Sequence, residues 1–191
     1  MKLKLIFLCV ILLLTTLIKS QDTINVYKTF EDFKNNNGEK MNEYIGISGL
    51  AVSVSFKKGN EIVKLKCKDF WGFDYNRRLF RNDVNTGLPC CVFKIGKCIF
   101  YANGQAHLSM AKGKANSSTF NVGYYYYISN NLNSEIWPMQ VVTKDYVKPE
   151  YTRAKKMFRK FKKANPQHKI FYDCLNDRIF IYFVEKCIEQ Y

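Results

Sequence analysis

Cysteine and histidine are the side chains that most often serve as nucleophiles or metal ligands, and the chain contains seven cysteines and two histidines. After residue 20 they are Cys67, Cys90, Cys91, Cys98, Cys174, Cys187, His107 and His168. No two of these cysteines have the short spacing of a zinc knuckle. A cysteine nucleophile needs a histidine base and a third group that orients it, and the sequence singles out no such trio. We therefore expect no metal site and no cofactor, and we favour a non-catalytic protein over an enzyme.

The cysteines after residue 20 leave two structural interpretations open. An even number in an exported protein is typical of disulfide bonds, whereas buried free thiols are the alternative. Cys90 and Cys91 are adjacent in a segment with strand character, so their side chains should point to opposite faces of a sheet. They should therefore have different partners, or none.

Pairs of carboxylates could also do chemistry, because two of them can hydrolyse a glycosidic bond. The candidates are Asp69, Asp74, Asp83, Glu135 and Asp145. None of them lies in a recognisable motif. A hydrolase that acts on cell-envelope polymers is therefore kept only as an alternative.

The stretch KDFWGFDYNRRLFR, residues 68–81, places aromatic rings beside arginines. Trp71 and Tyr75 could form a platform on which a ligand ring stacks, and Arg77 or Arg78 could bind an anionic group of that ligand, as in sites for glycans or nucleotides. The alternative packs Trp71 where the sheet meets a neighbouring element and leaves the arginines in water. We favour the structural interpretation because strand-like alternation flanks the rings and no cluster of acids or amides follows them.

The segment PEYTRAKKMFRKFKKANP, residues 149–166, predicts an amphipathic helix with a basic face. Apolar residues recur at helical spacing from Tyr151 to Ala164, and a proline marks each end. Six basic residues lie within residues 155–163, a stretch that contains no acid: Lys155, Lys156, Arg159, Lys160, Lys162 and Lys163. Such charges repel one another unless something negative faces them. The segment therefore predicts a site for anionic polysaccharide, lipid headgroups or nucleic acid, and a solvated helix face is the alternative.

These residues need a scaffold, and hydrophobic periodicity predicts an antiparallel sheet over about residues 45–147. LAVSVSF and EIVKLKC alternate around the turn KKGN, and PCCVFKI and KCIFYAN form a second hairpin through Gly96. In STFNVGYYYYIS, one face of a strand carries Tyr124 and Tyr126 and the other carries Tyr125 and Tyr127. One of these tyrosine rows would be exposed in a one-sided sheet and could stack on sugars, but we favour the alternative that the tyrosines are there for their β propensity. About six strands result, joined by connections too short for parallel crossovers.

Helical patterns lie on either side of the predicted sheet. In VYKTFEDFKNNNG, Thr29 can cap a short helix with Asp32 at its third position. DRIFIYFVEKCIEQY carries apolar residues at helical spacing for several turns, which favours a helix over a strand. The predicted fold class is α+β: one domain over residues 21–191, with a short N-terminal helix, the antiparallel sheet and a helical part over residues 149–191.

The first 20 residues predict export. Lys2 and Lys4 precede an apolar run from Leu5 to Ile18, which is shorter than the ~20 residues needed to span a bilayer. We expect a signal peptide that is cleaved near Ser20, with an uncleaved anchor as the alternative. No later segment predicts a membrane span. Three of the 30 basic residues and no acid lie in residues 1–20, so the remainder carries 27 basic side chains against 16 acidic ones.

The chain resembles a group of small exported proteins of unknown function from Bacteroidota. The resemblance rests on YKTFEDFKNN soon after the signal, on DFWGFDYNRRLFR followed by GKCIFYANG, and on a helical C-terminal part with a late aromatic residue. It implies export and this domain architecture. It brings no activity, cofactor or catalytic residue to this chain.

The sequence as a whole therefore predicts a secreted or periplasmic binding protein. Its partner would be an anionic polymer or lipid headgroups, held by the basic helix. Two alternatives remain: the hydrolase described above, and a structural or assembly component that binds another envelope protein.

Overall fold

The computed structural model describes residues 24–48, 53–84, 87–104, 108, 126–139, 149–175 and 181–191. Its strands are β1 (Ile24–Tyr27), β2 (Glu39–Met41), β3 (Glu43–Ser48), β4 (Ser53–Lys58), β5 (Glu61–Lys66), β6 (Gly72–Tyr75), β7 (Arg78–Asn82), β8 (Pro89–Ile95), β9 (Ile99–Asn103), β10 (Tyr127–Ser129) and β11 (Trp137–Pro138). Its helices are α1 (Phe30–Lys34), α2 (Pro149–Ala164), α3 (Lys169–Leu175) and α4 (Ile181–Gln190), and short 3-10 turns lie at Cys67–Asp69 and Pro166–His168. The described strands pair only in antiparallel fashion, which confirms the α+β class.

The strands form two sheets where the sequence predicted one of about six strands. Sheet A has eight strands in the order β11-β10-β9-β8-β7-β6-β1-β2, and sheet B has three in the order β3-β4-β5. The first predicted hairpin is confirmed as β4 and β5, although its residues 50–52 lie outside the described ranges. It does not join sheet A because its apolar face covers that sheet: the Phe56 ring lies 5.3 Å from the Phe73 ring.

Local sequence signals explain the start of helix α1 and the tight turn between β6 and β7. Helix α1 begins with the predicted capping box, in which the Thr29 main-chain nitrogen donates to Asp32 Oδ2 at 2.9 Å and the Asp32 nitrogen donates to Thr29 Oγ1 at 3.1 Å. Between β6 and β7 the turn residues Asn76 and Arg77 both have positive φ, 50° and 58°. This is the two-residue geometry that matches the twist of a hairpin, and asparagine tolerates it better than most residues.

One face of sheet A is covered by two different layers. At the β1, β6 and β7 end, Phe73 and Phe80 pack against Val54 and Phe56 of sheet B. At the β9 and β10 end, another cluster joins the sheet to α2, α3 and α4; its buried members are Cys98, Phe100, Ala102, Tyr126, Ile128, Met139, Phe158, Phe161, Phe171, Tyr172, Val184, Cys187 and Ile188. The described part of α4 confirms the helix predicted for the last segment.

The opposite face of sheet A is buried as well. Ile99, Tyr101 and Tyr127 pack there with Cys90 and Ile136. Tyr126 and Tyr127 therefore lie on opposite faces, as predicted, but both are buried, at 4% and 7% exposure. The expectation of an exposed tyrosine row does not hold for these two residues because the sheet is covered on both sides, and Tyr124 and Tyr125 lie outside the described ranges.

One disulfide bond is present among the described cysteines, between Cys174 of α3 and Cys187 of α4. Cys67, Cys90, Cys91 and Cys98 are buried free thiols, so both interpretations left open by the sequence occur in one molecule. Cys90 and Cys91 belong to different clusters, which confirms that they face opposite sides. Burial raises the pKa of the Cys67 and Cys98 thiols to about 12 and that of Cys91 to about 11. These thiols are therefore poor nucleophiles at neutral pH.

No helix in the described ranges is long and apolar enough to cross a membrane.

Candidate functional site

Helix α2 separates its basic and apolar side chains onto opposite faces. Lys156, Arg159, Lys160 and Lys163 are exposed, and at roughly 100° per residue they fall within about 100° of arc. Ala154, Phe158 and Phe161 lie on the other side and are 7%, 6% and 1% exposed. Lys155 and Lys162 are half-buried on the flank between the two faces. We refer to Lys156, Arg159, Lys160 and Lys163 as the basic face.

The apolar side of α2 fixes the basic face to the body of the protein. The Phe161 ring lies 6.2 Å from the Trp137 ring of β11 and stacks at 6.3 Å on His168. The predicted apolar stripe is confirmed for Ala154, Phe158 and Phe161, whereas Ala164 is exposed at the last position of the helix. The helix is therefore held by its aromatic residues and presents its cations to solvent.

The basic face has no carboxylate partner among the residues that the structure describes. The three ion pairs found there are Lys34 with Glu31, Lys58 with Glu39 and Lys169 with Asp173. Like charges four positions apart, such as Lys156 and Lys160, each destabilise a helix by about 0.2–0.5 kcal/mol. An anion held against this face would relieve that repulsion.

Lys162 differs from the other predicted anion-binding residues because its ammonium group contacts aromatic rings. Its Nζ lies 5.5 Å from the centre of the Phe158 ring and 5.9 Å from that of Tyr172. Such cation–π contacts stabilise a packed arrangement. Lys162 therefore has a structural role that the basic face does not share.

The four residues of the predicted aromatic and basic patch lie at two separate places. Tyr75, Arg77 and Arg78 meet at the β6–β7 turn, where Tyr75 is paired with Arg78 across the hairpin. Trp71 precedes the other end of β6, and four residues of strand correspond to about 13 Å. The Tyr75 ring packs at 5.3 Å against Tyr44. Trp71 and Tyr75 therefore do not form one stacking platform.

Trp71 instead packs between the sheet and helix α1, as the structural interpretation predicts. Its ring stacks on Phe33 at 4.7 Å and tilts against Phe30 at 5.5 Å. Its indole Nε1 is buried, and no described residue accepts a hydrogen bond from it. The ring is half-buried, and its contacts are with other rings of the protein.

A buried polar cluster on sheet A is the feature that the sequence did not reveal. Arg81 is only 5% exposed, and its Nη1 donates to the Tyr101 hydroxyl at 3.0 Å. That hydroxyl lies 2.7 Å from Ser129 Oγ, and Ser129 Oγ donates to the Asn131 carbonyl at 2.8 Å. The structural interpretation of residues 68–81 placed the arginines in water, and for Arg81 this prediction is wrong because its side chain lies on a covered part of sheet A. Only the absence of charged residues from the facing part of β8, residues 89–93, could have pointed to burial.

His168 is also buried, at 4% exposure, and its ring is held by polar residues rather than by a cysteine. Nδ1 lies 2.7 Å from the Tyr191 hydroxyl, and Nε2 lies 3.2 Å from Asn130 Oδ1. Burial lowers the pKa of the His168 ring, and the nearby Lys97 lowers it further. Neither contact fits a cysteine–histidine nucleophile pair, and His107 lies outside the described ranges.

The candidate carboxylates are spread over the molecule. Asp69 and Glu135 are exposed, Asp83 is buried and Asp145 lies outside the described ranges. Asp74 accepts hydrogen bonds from the Asn25 main chain at 2.8 Å and from the Tyr27 hydroxyl at 2.8 Å. It lies opposite Leu79, four residues from Asp83 along β7, which is about 13 Å and too far for the pairs of glycosidases.

The described ranges contain no group of three or more His, Cys, Asp or Glu side chains that could hold a metal ion. No protein-family model matches the chain, and no curated protein or solved structure matches it either. The arrangement of charges on α2 is therefore the observation from which a function can be argued.

Proposed function

We propose that the protein is an exported, non-catalytic binding protein and that the basic face of α2 binds a linear anionic polymer such as an acidic polysaccharide. The observation that carries the proposal is the set of four exposed cations on one side of a helix whose other side is fixed in the core. The export part rests on the sequence of residues 1–20.

The burial of the apolar side of α2 favours a polymer over a membrane surface. A helix that binds a bilayer inserts its apolar face among the lipids. Phe158 and Phe161 are 6% and 1% exposed, so they would have to leave the core before they could insert. The basic face can therefore offer charge but little apolar area, which suits a hydrated polyanion.

The spacing of the basic face also suits an extended ligand. Lys156 and Lys160 lie four residues apart, as do Arg159 and Lys163, and each pair is separated by about 6 Å along the helix axis. Two such rows run side by side along α2. A polymer that lies along the helix would meet one cation from each row in each of the two turns that the basic face covers.

Salt elution from immobilised heparin tests the proposal. The variant Lys156→Glu/Lys160→Glu/Lys163→Glu should elute at much lower salt than the wild type, because three attractions become repulsions. The matched control is Lys64→Glu/Lys66→Glu/Lys68→Glu, which makes the same change of net charge at exposed positions of β5 and the turn after it. The control should elute close to the wild type.

Equal shifts in the two triple variants would contradict the proposal, because only the net charge would then matter. Binding to anionic vesicles provides the second comparison. Stronger retention on vesicles than on heparin at the same ionic strength would identify lipid headgroups, rather than a polymer, as the partner of this face.

A further inference from the structure

Strand β5 forms one edge of sheet B. It pairs with β4 over six consecutive residues, from Glu61 to Lys66, and no described strand pairs with its other side. Ile62 is 67% exposed, and none of the six residues is buried. An edge strand leaves alternate main-chain N–H and C=O groups without a strand partner, and these groups can pair with another chain. The free edge of β5 is about 20 Å long.

The other edges of the two described sheets are poorer templates for such pairing. In sheet A the edge strands are β2, with three residues, and β11, with two residues, one of which is Pro138. In sheet B the edge strand β3 has a register shift between Tyr44 and Gly46. Short strands, prolines and bulges protect natural sheets from pairing with other chains. Strand β5 has none of these features, because its register with β4 is continuous and it contains no proline.

The two sides of β5 differ in their chemistry. Val63 and Leu65 pack against the buried cluster between the two sheets, but both are only half-buried. Ile62, Lys64 and Lys66 point to the opposite side, because side chains alternate along a strand. Neither lysine forms an ion pair with a described residue, and the residues paired with them on β4 are serines. A chain added beside β5 would therefore meet an apolar row on one side and a basic row on the other.

A second copy of the protein is a poor occupant of this edge. Residues paired across antiparallel strands point to the same side of a sheet, so a symmetric pairing of two β5 strands matches their basic sides. A two-fold axis at Lys64 or Leu65 places lysine opposite lysine, and an axis at Val63 places Lys64 opposite Ile62. Like charges that face each other in this way are destabilising. The same lysines would attract a strand that carries acidic side chains on this side.

We propose that β5 is a docking edge for an extended, acidic segment of another protein, which adds to sheet B as a fourth strand. Main-chain hydrogen bonds to the free edge of β5 hold the segment, and its alternate side chains give specificity. Its acidic residues lie beside Lys64 and Lys66, and its apolar residues cover the exposed parts of Val63 and Leu65. Heparin has no peptide groups that could form a strand, so this edge is independent of the basic face of α2.

The probe for this edge is a short fluorescein-labelled peptide in which valine and glutamate alternate, and the readout is fluorescence anisotropy. The wild type should bind the peptide saturably. Lys64→Glu/Lys66→Glu should weaken binding at least about tenfold, because two attractions become repulsions. This variant should instead bind the peptide in which lysine replaces glutamate.

Lys156→Glu/Lys160→Glu is the matched control, because it makes the same change of net charge on the basic face. It should bind the glutamate peptide as the wild type does. Equal losses in the two variants would overturn the proposal, since net charge alone would then account for them. Absence of binding to the wild type at about 1 mM peptide would also overturn it.

Methylation of the peptide main chain tests strand addition on the wild-type protein alone. One peptide is N-methylated on its valines and a second on its glutamates, so that each keeps the charges and side chains of the parent. The amides of the two residue types point to opposite edges of an extended peptide. Only one of the two peptides therefore turns its methyl groups towards β5, and it should lose binding while the other keeps it. Binding of both peptides as tight as that of the parent would show that charge alone holds the peptide, and strand addition would be excluded.

Discussion

The main-chain oxygen of Phe161 determines which ring nitrogen of His168 carries the proton. Asn165 Nδ2 donates to this oxygen at 2.9 Å, so Asn165 Oδ1 must accept, and it does so from Asn130 Nδ2 at 2.7 Å. Asn130 Oδ1 is thereby left as an acceptor for His168 Nε2–H at 3.2 Å, which is closer to Nε2 than the Gln167 amide nitrogen at 3.4 Å, a donor that would need Nε2 without its proton. Nδ1 then accepts from the Tyr191 hydroxyl. The end of α2 is thus linked to the β10–β11 loop and to Tyr191 through a neutral imidazole.

This arrangement predicts a loss of stability in mild acid. Burial lowers the pKa of His168 below its ordinary value of 6.5. The unfolded chain therefore takes up a proton near pH 6.5 that the folded chain takes up only at lower pH. The free energy of unfolding should fall as the pH is lowered from 6.5 to the depressed pKa of the folded state. Urea unfolding at several pH values measures this slope.

His168→Gln should remove most of that slope. The His168→Gln variant should also be less stable than the wild type at pH 7.5, because it cannot reproduce both hydrogen bonds of the ring. A wild-type stability that is constant between pH 7 and pH 5 would contradict this account of His168.

The sequence predicted those parts of the fold that depend on neighbours in the chain. The capping box of Thr29 and Asp32, the β4–β5 hairpin and the amphipathic helix α2 each rest on residues a few positions apart. Strand β1 was not predicted because it has only four residues, INVY, which are too few to show a clear alternation. The helical pattern begins directly after it. The division into two sheets depends on which face the β4–β5 hairpin covers, and periodicity does not contain that information.

The candidate sites likewise include one that depends on neighbours in the chain and others that depend on distant residues. The basic face of α2 is local, so helical spacing was enough to find it. The surroundings of Arg81 depend on the register of four strands, in which Gly72, Arg81, Cys90 and Asn103 form one row. The contacts of His168 with Asn130 and Tyr191 span 38 and 23 residues. Neither arrangement can be predicted from the spacing of residues along the chain.

Lys94 should contribute to stability through the end of helix α4. Its ammonium group donates to the main-chain oxygens of Ile188 and Glu189, at 2.6 and 2.8 Å. These carbonyls have no partner within the helix, and a cation there also interacts with the helix dipole. Lys94→Met should cost about 1–2 kcal/mol of unfolding free energy, measured by urea unfolding. Lys68→Met, at an exposed position, should change it by less than about 0.5 kcal/mol. Equal effects would show that Lys94 does not support α4.

Trp71 should be replaceable by phenylalanine but not by alanine. Alanine removes the stacking on Phe30 and Phe33, and because the ring is half-buried the cost should be about 2–4 kcal/mol. Phenylalanine keeps a ring at this position and removes the buried Nε1–H that lacks a described partner. Removing this unpaired donor should offset much of the stability that is lost with the buried surface of the larger ring. Trp71→Phe should therefore cost less than about 1 kcal/mol. Equal costs for the two variants, measured by urea unfolding, would contradict this view.

The disulfide between Cys174 and Cys187 predicts a defined thiol count. In the denatured protein after residues 1–20 are removed, alkylation without reductant should label Cys67, Cys90, Cys91 and Cys98, and alkylation after reduction should label all six cysteines. The pair is separated by 13 residues, and closing a loop of this length in the unfolded chain corresponds to about 3 kcal/mol. Cys174→Ser/Cys187→Ser should therefore lower stability by about that amount. Six labelled thiols without reductant would show that the bond is absent.

The different environments of Lys160 and Lys162 provide the sharpest test of the basic face. For a ligand held by phosphate-like or carboxylate charges, each cation that neutralises one of them contributes roughly 0.7–0.9 to the slope of log K against log salt. Lys160 is exposed on the basic face, so Lys160→Gln should reduce the slope for heparin by about that amount. Lys162 is held over the rings of Phe158 and Tyr172, so Lys162→Gln should reduce the slope by less than half as much while lowering the thermal stability more. Both variants lose one charge from the same helix, and the net charge therefore cannot account for a difference between them. Identical slopes would mean that heparin responds to the helix as a diffuse positive charge, and the division of α2 into a basic face and a structural flank would then have no bearing on binding.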